Sequence, residues 1–428
     1  MIWIYRLLFP FVLVATSPYY LLRMRRRGGY GDGFWHRFGH PPVLPARRPG
    51  VRRIWLQAVS VGEMLAVEPI LRGLREEGTE VVLTTTTSTG YRVAMERCAP
   101  LVIGVAYFPV DWMPFSARAW ERIQPDLAVL TEGERWPEHL RQASSRGVPV
   151  LCINARISDR SFARMTAFPA AARFVLRGIT RLLAGSDEDA ARFRRLGFPA
   201  ERIEVTGNIK LDVEIPLLDG EARRRLRAEL GLREGTLVLL GSSTWPGEEA
   251  ALVDALVLAR SRGVDCSLLI VPRHAERRSE VEKLLAASGL TYHLRSRGAA
   301  AGPVDIAVGD TTGELRKMTQ LADVVYVGKS LPPHTQGQTP VEAATLGKPI
   351  LLGPGMANFR SIERDLLRRG AARTVADARD LAEQATALLL DRARRDGVSA
   401  ASAGWRRDNG GGVARTLAAI RGELAAAR

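Results

Sequence analysis

Short apolar runs that alternate with amphipathic stretches constrain the fold of this chain more than any other feature. In the first half the strand-like runs are residues 54–59, 81–84, 127–130, 148–153, 181–184 and 203–206. The pattern begins again with residues 237–240, 267–271, 305–308, 324–327 and 350–352. Short buried strands separated by helices are typical of parallel sheets that are covered by helices on both faces. We therefore predict an α/β protein.

The length of the chain predicts two domains of this kind. It has 428 residues, and a single hydrophobic core rarely grows past roughly 250–300 residues. We expect Rossmann-like domains at residues 23–211 and 236–404, a linker at 212–235 and a terminal helix at 405–428. Two such domains in tandem leave a cleft between them, and ligands bind open α/β sheets where strands end and helices begin.

Residues 1–22 are almost wholly apolar and predict a membrane anchor. A membrane span needs roughly 20 apolar residues, so this segment is barely long enough. Arg23 and residues 25–27, all arginine, follow at once. Charge after the apolar run argues against a signal peptide and, by the positive-inside rule, places the rest of the chain in the cytoplasm. Pro10 and Pro18 weaken a straight helix, so a shallow or kinked anchor and an ordinary buried helix remain alternatives.

The net charge of +15 fits a nucleic acid, an anionic membrane or phosphorylated substrates. The chain contains no zinc-finger spacing and no aromatic RNA-binding motif, so we expect no nucleic-acid partner. An anionic membrane surface accounts for the charge better, because of the apolar segment. Cys98, Cys152 and Cys266 lie far apart, which predicts buried thiols and neither a disulfide framework nor a zinc site.

In the first domain, Glu63 follows the first strand at the start of an amphipathic helix. A glutamate that faces a cleft from this position can take a proton from a hydroxyl group, and the helix dipole keeps it ionised. However, Ser60 and Glu63 also have the spacing of a capping box, which needs no catalytic function. The local sequence does not decide between these interpretations.

Further charged residues follow later strands of the first domain. Glu132 and Glu134 come directly after the third strand-like run, where charge is costly unless it is paired or used. Glu132 could serve the reaction, whereas Glu134 could pair with Arg135 or cap the next helix. Arg156 and Lys210 each place a cation after a strand, suited either to a carboxylate or phosphate ligand or to a surface ion pair.

The second domain has several loops suited to phosphate. Ser243 lies in a small hydroxyl-rich loop after the first strand, and Arg273 follows the next strand beside His274. Glu342 lies at the start of a helix, where a carboxylate can bind a ribose diol. No Walker loop, dinucleotide fingerprint or metal-ligand spacing is present, so we expect neither a cofactor nor a metal. The charge of a leaving phosphate would then be met by cations and backbone amides.

Taken together, these motifs resemble the bacterial 3-deoxy-D-manno-octulosonic acid (Kdo) transferases. The strings that carry the resemblance occur in the family's order at residues 60–63, 84–90 (TTTTSTG), 132–137 (EGERWP), 154–158 (NARIS), 206–212 (TGNIKLD), 271–274 (VPRH), 309–315 (GDTTGEL) and 340–344 (PVEAA). The resemblance implies a GT-B fold and an inverting, metal-independent transfer of Kdo from CMP-Kdo to a lipid A precursor.

The resemblance also assigns residues. Glu63 matches the general base, and Glu132 and Lys210 match residues that support the transition state. The positions that match the CMP site are Pro272, Arg273, Thr312, Gly313, Glu314, Thr339, Pro340, Val341 and Glu342. The family usually has Gly-Gly-His-Asn-Pro before the ribose-binding glutamate, where this chain has the sequence QGQTP at residues 336–340.

Two other functions share this architecture. Nucleotide-sugar 2-epimerases have the same two-domain pattern, but they are soluble and need no acceptor, so the apolar segment argues against an epimerase. A non-catalytic membrane scaffold would keep the fold, but it would not need the carboxylates and basic loops that follow the strands.

Overall fold

The computed structural model describes residues 1–25, 31–213 and 215–426. Residues Arg26 and Arg27 of the predicted basic segment lie outside this range, as do the side chains of Arg23 and Arg25. The chain forms two compact units. The first comprises Met1–Asp212 together with Gly411–Arg428, and the second comprises Val213–Gly410.

The first unit is built on a parallel sheet, which has seven strands within the described residues. The strands are β1 (Arg53–Gln57), β2 (Glu80–Thr85), β3 (Gly104–Tyr107), β4 (Leu127–Thr131), β5 (Val150–Ala155), β6 (Arg181–Ala184) and β7 (Ile203–Val205). Their order across the sheet is β3-β2-β1-β4-β5-β6-β7. The chain reverses its direction of travel between β1 and β4, and this switch point is where open α/β sheets bind ligands.

Helices cover both faces of this sheet. The helices that precede Asp212 in this unit are α1 (Ile2–Arg25), α2 (Val61–Glu76), α3 (Ser88–Val93), α4 (Met113–Ile123), α5 (Pro137–Ser145), α6 (Asp159–Ala167), α7 (Pro169–Leu176) and α8 (Asp187–Arg195). Buried apolar clusters lie on the two faces, around Ile54 and Leu56 on one side and Trp55 on the other. This alternation follows from the pleat, which turns successive side chains to opposite faces.

The second unit repeats the plan with β8 (Leu237–Thr244), β9 (Cys266–Pro272), β10 (Tyr292–Leu294), β11 (Ile306–Val308), β12 (Val324–Val327), β13 (Ile350–Leu352) and β14 (Ala372–Thr374). The order is β10-β11-β9-β8-β12-β13-β14, and the recorded pairings are parallel. Its helices are α9 (Gly220–Glu229), α10 (Glu248–Ser261), α11 (Arg278–Ala287), α12 (Leu315–Thr319), α13 (Val341–Thr345), α14 (Arg360–Arg368), α15 (Ala378–Leu390) and α16 (Arg392–Asn409). The predicted α/β class with two Rossmann-like units is confirmed.

Three strands were not predicted from the sequence, namely β3, β10 and β14. Each has only three or four residues. All three lie at the edges of their sheets. An edge strand has one neighbour only, so it needs less apolar sequence and leaves a weaker pattern.

The end of the chain differs from the predicted single helix at 405–428. Trp405 belongs to α16, and a separate helix α17 (Gly412–Ala426) begins after Gly410 and Gly411. Asp212 accepts hydrogen bonds from the backbone N–H groups of Gly411 and Val413, which ties the start of α17 to the first unit. Leu417, Ile420 and Leu424 of α17 then complete the core of that unit.

Helix α1 runs without interruption through Pro10 and Pro18, where the sequence suggested a kink. The hydroxyl of Ser17 donates to the carbonyl of Val14 at 2.9 Å. That carbonyl would otherwise accept the N–H group that Pro18 lacks, so the side chain replaces the missing bond. Residues 2–22 are long and apolar enough to cross a membrane by length and composition, and Leu7, Phe11 and other apolar side chains are exposed.

Candidate functional site

The carboxylate of Glu63 lies at the switch point of the first sheet. Its Oε1 accepts from the hydroxyl of Ser60 at 2.9 Å, and its Oε2 accepts from the N–H of Val59 at 2.9 Å and the hydroxyl of Thr131 at 2.6 Å. Ser60 also caps α2 by accepting from the N–H of Glu63. The capping box therefore forms, and it is part of what holds the carboxylate in place rather than an alternative to a role for it.

The loop before Glu63 is held by the threonine-rich segment after β2. The hydroxyls of Thr85 and Thr87 both donate to the carbonyl of Val59, at 3.0 and 2.9 Å. A Cβ atom on Gly90 would lie 2.7 Å from the Thr85 hydroxyl, so only glycine fits there. The TTTTSTG string thus positions the backbone that carries the Glu63 carboxylate.

Glu132 directly follows Thr131, whose hydroxyl bonds to the Glu63 carboxylate. Its Oε1 accepts from the Asn154 side-chain amide at 3.2 Å and forms an ion pair with Lys210 Nζ at 2.5 Å. Asn154 also accepts from the backbone N–H of Ile209 at 3.3 Å. The structure therefore brings the EGERWP, NARIS and TGNIKLD strings together through one asparagine, and Lys210 pairs within the site rather than at a remote surface.

Glu134 is a further candidate for proton transfer. It does not cap α5, and its Oε2 accepts from the indole N–H of Trp136 at 2.6 Å. Burial, together with the negative charges of Glu63 and Glu132, raises the pKa of Glu134 to about 7, although the bond from Trp136 and the positive charge of Arg135 oppose the shift. A carboxyl group that titrates near neutral pH is suited to proton transfer.

In the second unit, β8 ends in a bulge that contains Ser243. The register against β9 shifts between Ser242 and Thr244, and Ser243 adopts a φ of 54°. The hydroxyl of Thr244 donates to Glu249, whose carboxylate also pairs with Arg277 at 2.6 Å. The bulge turns the backbone after β8 at the edge where β9 ends in Pro272 and Arg273 follows with an exposed side chain.

The remaining predicted donor residues follow β11 and precede α13. Thr312 and Gly313 are exposed in the loop after β11, and Glu314 is held by Thr311 and Arg295. Although burial opposes it, the Thr311 and Arg295 contacts hold the pKa of Glu314 below its usual range.

Glu342 lies in the first turn of α13, after Thr339 and Pro340 and next to the buried Val341. Its Oε1 is 3.7 Å from the guanidinium of Arg316. Its Oε2 is buried and has no hydrogen-bond partner among the residues that the structure describes. An unpaired buried acceptor is costly, so this oxygen is suited to a hydroxyl donor from a ligand.

A surface basin of about 570 Å³ in the second unit is not part of this site. It lies at the amino ends of β9 and β11, the opposite edge of the sheet from the motifs. The charged residues that line it are paired with each other, Arg260 with Asp305 and Arg233 with Asp265.

The two Rossmann-like units define the fold class of the protein as GT-B. The UDP-GlcNAc 2-epimerase from Neisseria meningitidis has a TM-score of 0.58 at 14% identity, covering 87% of this chain and 99% of that structure. A glycosyltransferase from Rickettsia africae has a TM-score of 0.55 at 12% identity, covering 88% and 99%. These likenesses concern the fold alone.

The sequence relatives identify the family. Residues 32–213 match the family model described as 3-deoxy-D-manno-octulosonic-acid transferase (kdotransferase). The 3-deoxy-D-manno-octulosonic acid transferase of Bordetella pertussis is 35% identical over 96% of this chain and 98% of that protein. The chain belongs to the family of 3-deoxy-D-manno-octulosonic acid transferases and is a glycosyltransferase.

Proposed function

We propose that the protein transfers Kdo from CMP-Kdo to a lipid A precursor by a single inverting displacement without a metal ion. The observation that carries the proposal is the Glu63 carboxylate, which lies at the switch point of the first sheet. Among the residues that the structure describes, the groups that hold it are neutral donors. Such a carboxylate is fixed in position yet still has lone pairs for a substrate proton.

In this mechanism a hydroxyl oxygen of the acceptor attacks the anomeric carbon of Kdo. The new carbon–oxygen bond forms as the bond to the CMP phosphate breaks, and Glu63 takes the hydroxyl proton. Glu132 and Lys210 form an ion pair beside Glu63. We assign them a supporting role, in which the pair orders the polar groups around the reacting atoms before the reaction begins.

The nucleotide is assigned to the second unit. Arg273 supplies a cation for the phosphate, and the loop with Thr312 and Gly313 offers backbone N–H groups. The unpaired Oε2 of Glu342 would accept a ribose hydroxyl. Each of these residues follows a strand or begins a helix at the carboxyl edge of the second sheet, where nucleotides bind in such folds.

The position of α1 suggests how the enzyme meets a lipid. The phenol of Tyr5 donates to Asp111 at 2.6 Å, and Arg6 forms two hydrogen bonds with the fully buried Glu138. The segment after the helix, Gly31–Phe38, also packs on the first unit, where Arg37 donates to the carbonyl of Phe108.

The first turns of α1 and the segment that follows the helix are therefore held by the same unit. The two ends of a helix held in this way cannot lie on opposite sides of a bilayer. We propose that α1 lies along the cytoplasmic surface of the inner membrane with its exposed apolar side chains in the lipid. Arginines that follow it in the sequence would add attraction to anionic headgroups.

The direct test is transfer of radiolabelled Kdo from CMP-Kdo to a lipid A precursor by the purified protein. We expect transfer in the presence of a chelator, with inversion at the anomeric carbon. Turnover of a nucleotide sugar without an acceptor would favour an epimerase instead, and the absence of any nucleotide binding would favour a scaffold.

The donor assignment is tested separately by Arg273→Ala. A charge-assisted hydrogen bond contributes roughly 1.5–3 kcal/mol, so CMP affinity should fall by about 10- to 100-fold with little change in the melting temperature. Equal affinity of the wild type and the variant in calorimetry would rule out this role for Arg273.

A further inference from the structure

Lys329 has a backbone conformation that side chains rarely adopt. It follows β12 with a φ of 58°, close to the φ of 54° at Ser243 after β8. The two strands are neighbours, with Val327 opposite Ser242. A Cβ atom on Gly328 would lie 2.4 Å from the carbonyl oxygen of Ser243. The ends of β8 and β12 are thus packed tightly at the switch point of the second sheet. The surrounding contacts hold Lys329 in a backbone conformation that is unfavourable for a residue with a side chain.

The ammonium of Lys329 lies over an aromatic ring and does not form an ion pair with a carboxylate of the described residues. Its Nζ lies 3.9 Å from the centroid of the Trp245 ring. No carboxylate lies within 4.0 Å of this Nζ among the residues that the structure describes. The edges of His274 and His334 pack around the same indole, with centroids 5.4 and 5.8 Å from it. A cation–π contact orients the ammonium while leaving its N–H groups available for an anion.

An exposed cation lies on the other side of β8 from the half-buried Lys329. Arg273 follows β9, and its backbone N–H donates to the carbonyl of Thr244 at 3.1 Å. Strands β9 and β12 both pair with β8, so their ends are about 10 Å apart. Flexible side chains such as those of Lys329 and Arg273 can reach across this distance to two anionic groups of one small ligand.

Lys329 is also tied to the loop that precedes the proposed ribose site. Its carbonyl accepts from the N–H of Gly337 at 2.8 Å, and the carbonyl of Gly328 accepts from the N–H of Gln338 at 3.0 Å. This loop leads directly to Thr339. The backbone of Lys329 therefore belongs to the same edge of the sheet as the groups assigned to the nucleotide.

We propose that Lys329 binds an anionic group of the sugar-nucleotide donor, either its phosphate or the carboxylate on the anomeric carbon of the sugar. The assignment rests on the proposed function, because an octulosonic acid joined to a nucleotide carries both groups on one carbon atom. Arg273 supplies one cation for these two anions, and Lys329 supplies the other.

The test compares Lys329→Gly, Lys329→Arg and a control, Lys283→Met, which removes an exposed lysine on α11 of the same unit. Glycine removes the ammonium and suits a positive φ, so the melting temperature of Lys329→Gly should not fall. CMP affinity is measured by calorimetry, and the KM for CMP-Kdo is measured in the transfer assay. The control should match the wild type in both.

If Lys329 binds the phosphate, Lys329→Gly should weaken CMP binding by about 10- to 100-fold. If it binds the carboxylate, CMP binding should be unchanged while the KM for CMP-Kdo rises by a similar factor. Lys329→Arg should restore most of either loss.

Two results would overturn the proposal: wild-type CMP affinity and KM in Lys329→Gly, or equal losses in Lys329→Gly and Lys283→Met. Failure of the wild-type protein itself to bind CMP would instead overturn the proposed function.

Discussion

At the scale of single residues, unusual backbone conformations mark the candidate sites. Glu132, Asn154, Ser243 and Lys329 all have a positive φ and all lie at or near the carboxyl ends of strands. Asn154 and Ser243 coincide with shifts of register between neighbouring strands. Each such conformation costs on the order of 1–3 kcal/mol, and the surrounding contacts must supply that energy. These four residues lie in the same regions as the candidate site residues that follow the strands.

Replacement of Glu63 by glutamine should abolish transfer while the fold is kept. The amide preserves most of the capping geometry but cannot take a proton, and loss of a general base typically costs about 10²–10⁴ in rate. The measurements are kcat for Kdo transfer and the melting temperature. A variant with near-normal turnover would leave Glu63 with its capping role alone.

Glu134 should make stability and activity depend on pH near neutrality. Its pKa in the folded protein is about 7 and therefore above its unfolded value. The protonated form favours folding, so this contribution is complete below about pH 4.5 and is lost as the pH rises through 7.

In Glu134→Gln this pH dependence should disappear, and the free energy of unfolding at pH 8 should rise by on the order of 1–3 kcal/mol. Denaturant titrations of both proteins at pH 5, 7 and 8 measure the difference. Parallel stability curves for the two proteins would contradict the assignment.

At the scale of elements, the first turns of α1 are part of the first unit. Half-buried positions recur at Tyr5, Phe9, Leu13 and Ser17, one turn apart along a single stripe. This spacing is that of one face of a helix. Tyr5 and Arg6 satisfy acidic groups that the rest of the unit buries.

Arg6→Gln should destabilise the first unit by roughly 3–5 kcal/mol, because it leaves the buried Glu138 without its cation. The double variant Arg6→Gln with Glu138→Gln should recover much of the loss, since an amide replaces the unpaired charge. Denaturant unfolding of the wild type, the single variant and the double variant measures this.

Deletion of residues 1–22 should be at least as destabilising, and a stable deletion variant would show that the Arg6 contact is dispensable.

At the scale of the whole molecule, the chain leaves the first unit at Asp212 and returns to it at Gly411. The last helix fills the first core even though it follows the second unit in sequence. Arg415 donates to the carbonyl of Thr206, and Arg421 forms an ion pair with Glu77, so polar contacts surround the apolar face of α17. Stability of the first unit therefore depends on the far end of the chain.

Truncation after Asn409 should unfold the first unit while the second unit keeps its nucleotide affinity. Leu417, Ile420 and Leu424 would leave the core, and loss of large buried apolar side chains costs about 2–5 kcal/mol each. Circular dichroism and CMP calorimetry on the truncated protein test this together. A truncated protein with the unfolding profile of the full chain would contradict it.

Much of this architecture is already determined by the sequence alone. Strand-like runs such as 181–184 and 324–327 were located to the residue, because strands buried on both faces need continuous apolar sequence. The polar residues that follow such strands can also be located in the sequence. We expect them at one edge of the sheet, because parallel strands end at a common edge. The position of Glu63 in the first turn of α2 follows from the sequence in this way, whereas its contacts do not.

Only the tertiary structure decided what depends on contacts between distant segments. It raised the pKa of Glu134 through burial near Glu63, which lies more than seventy positions away. It assigned α17 to the first unit and gave Arg6 a buried partner in Glu138. It also placed the ammonium of Lys329 over Trp245. Local pattern reports periodicity and capping, but burial and charge pairing arise only when the folded chain brings such segments together.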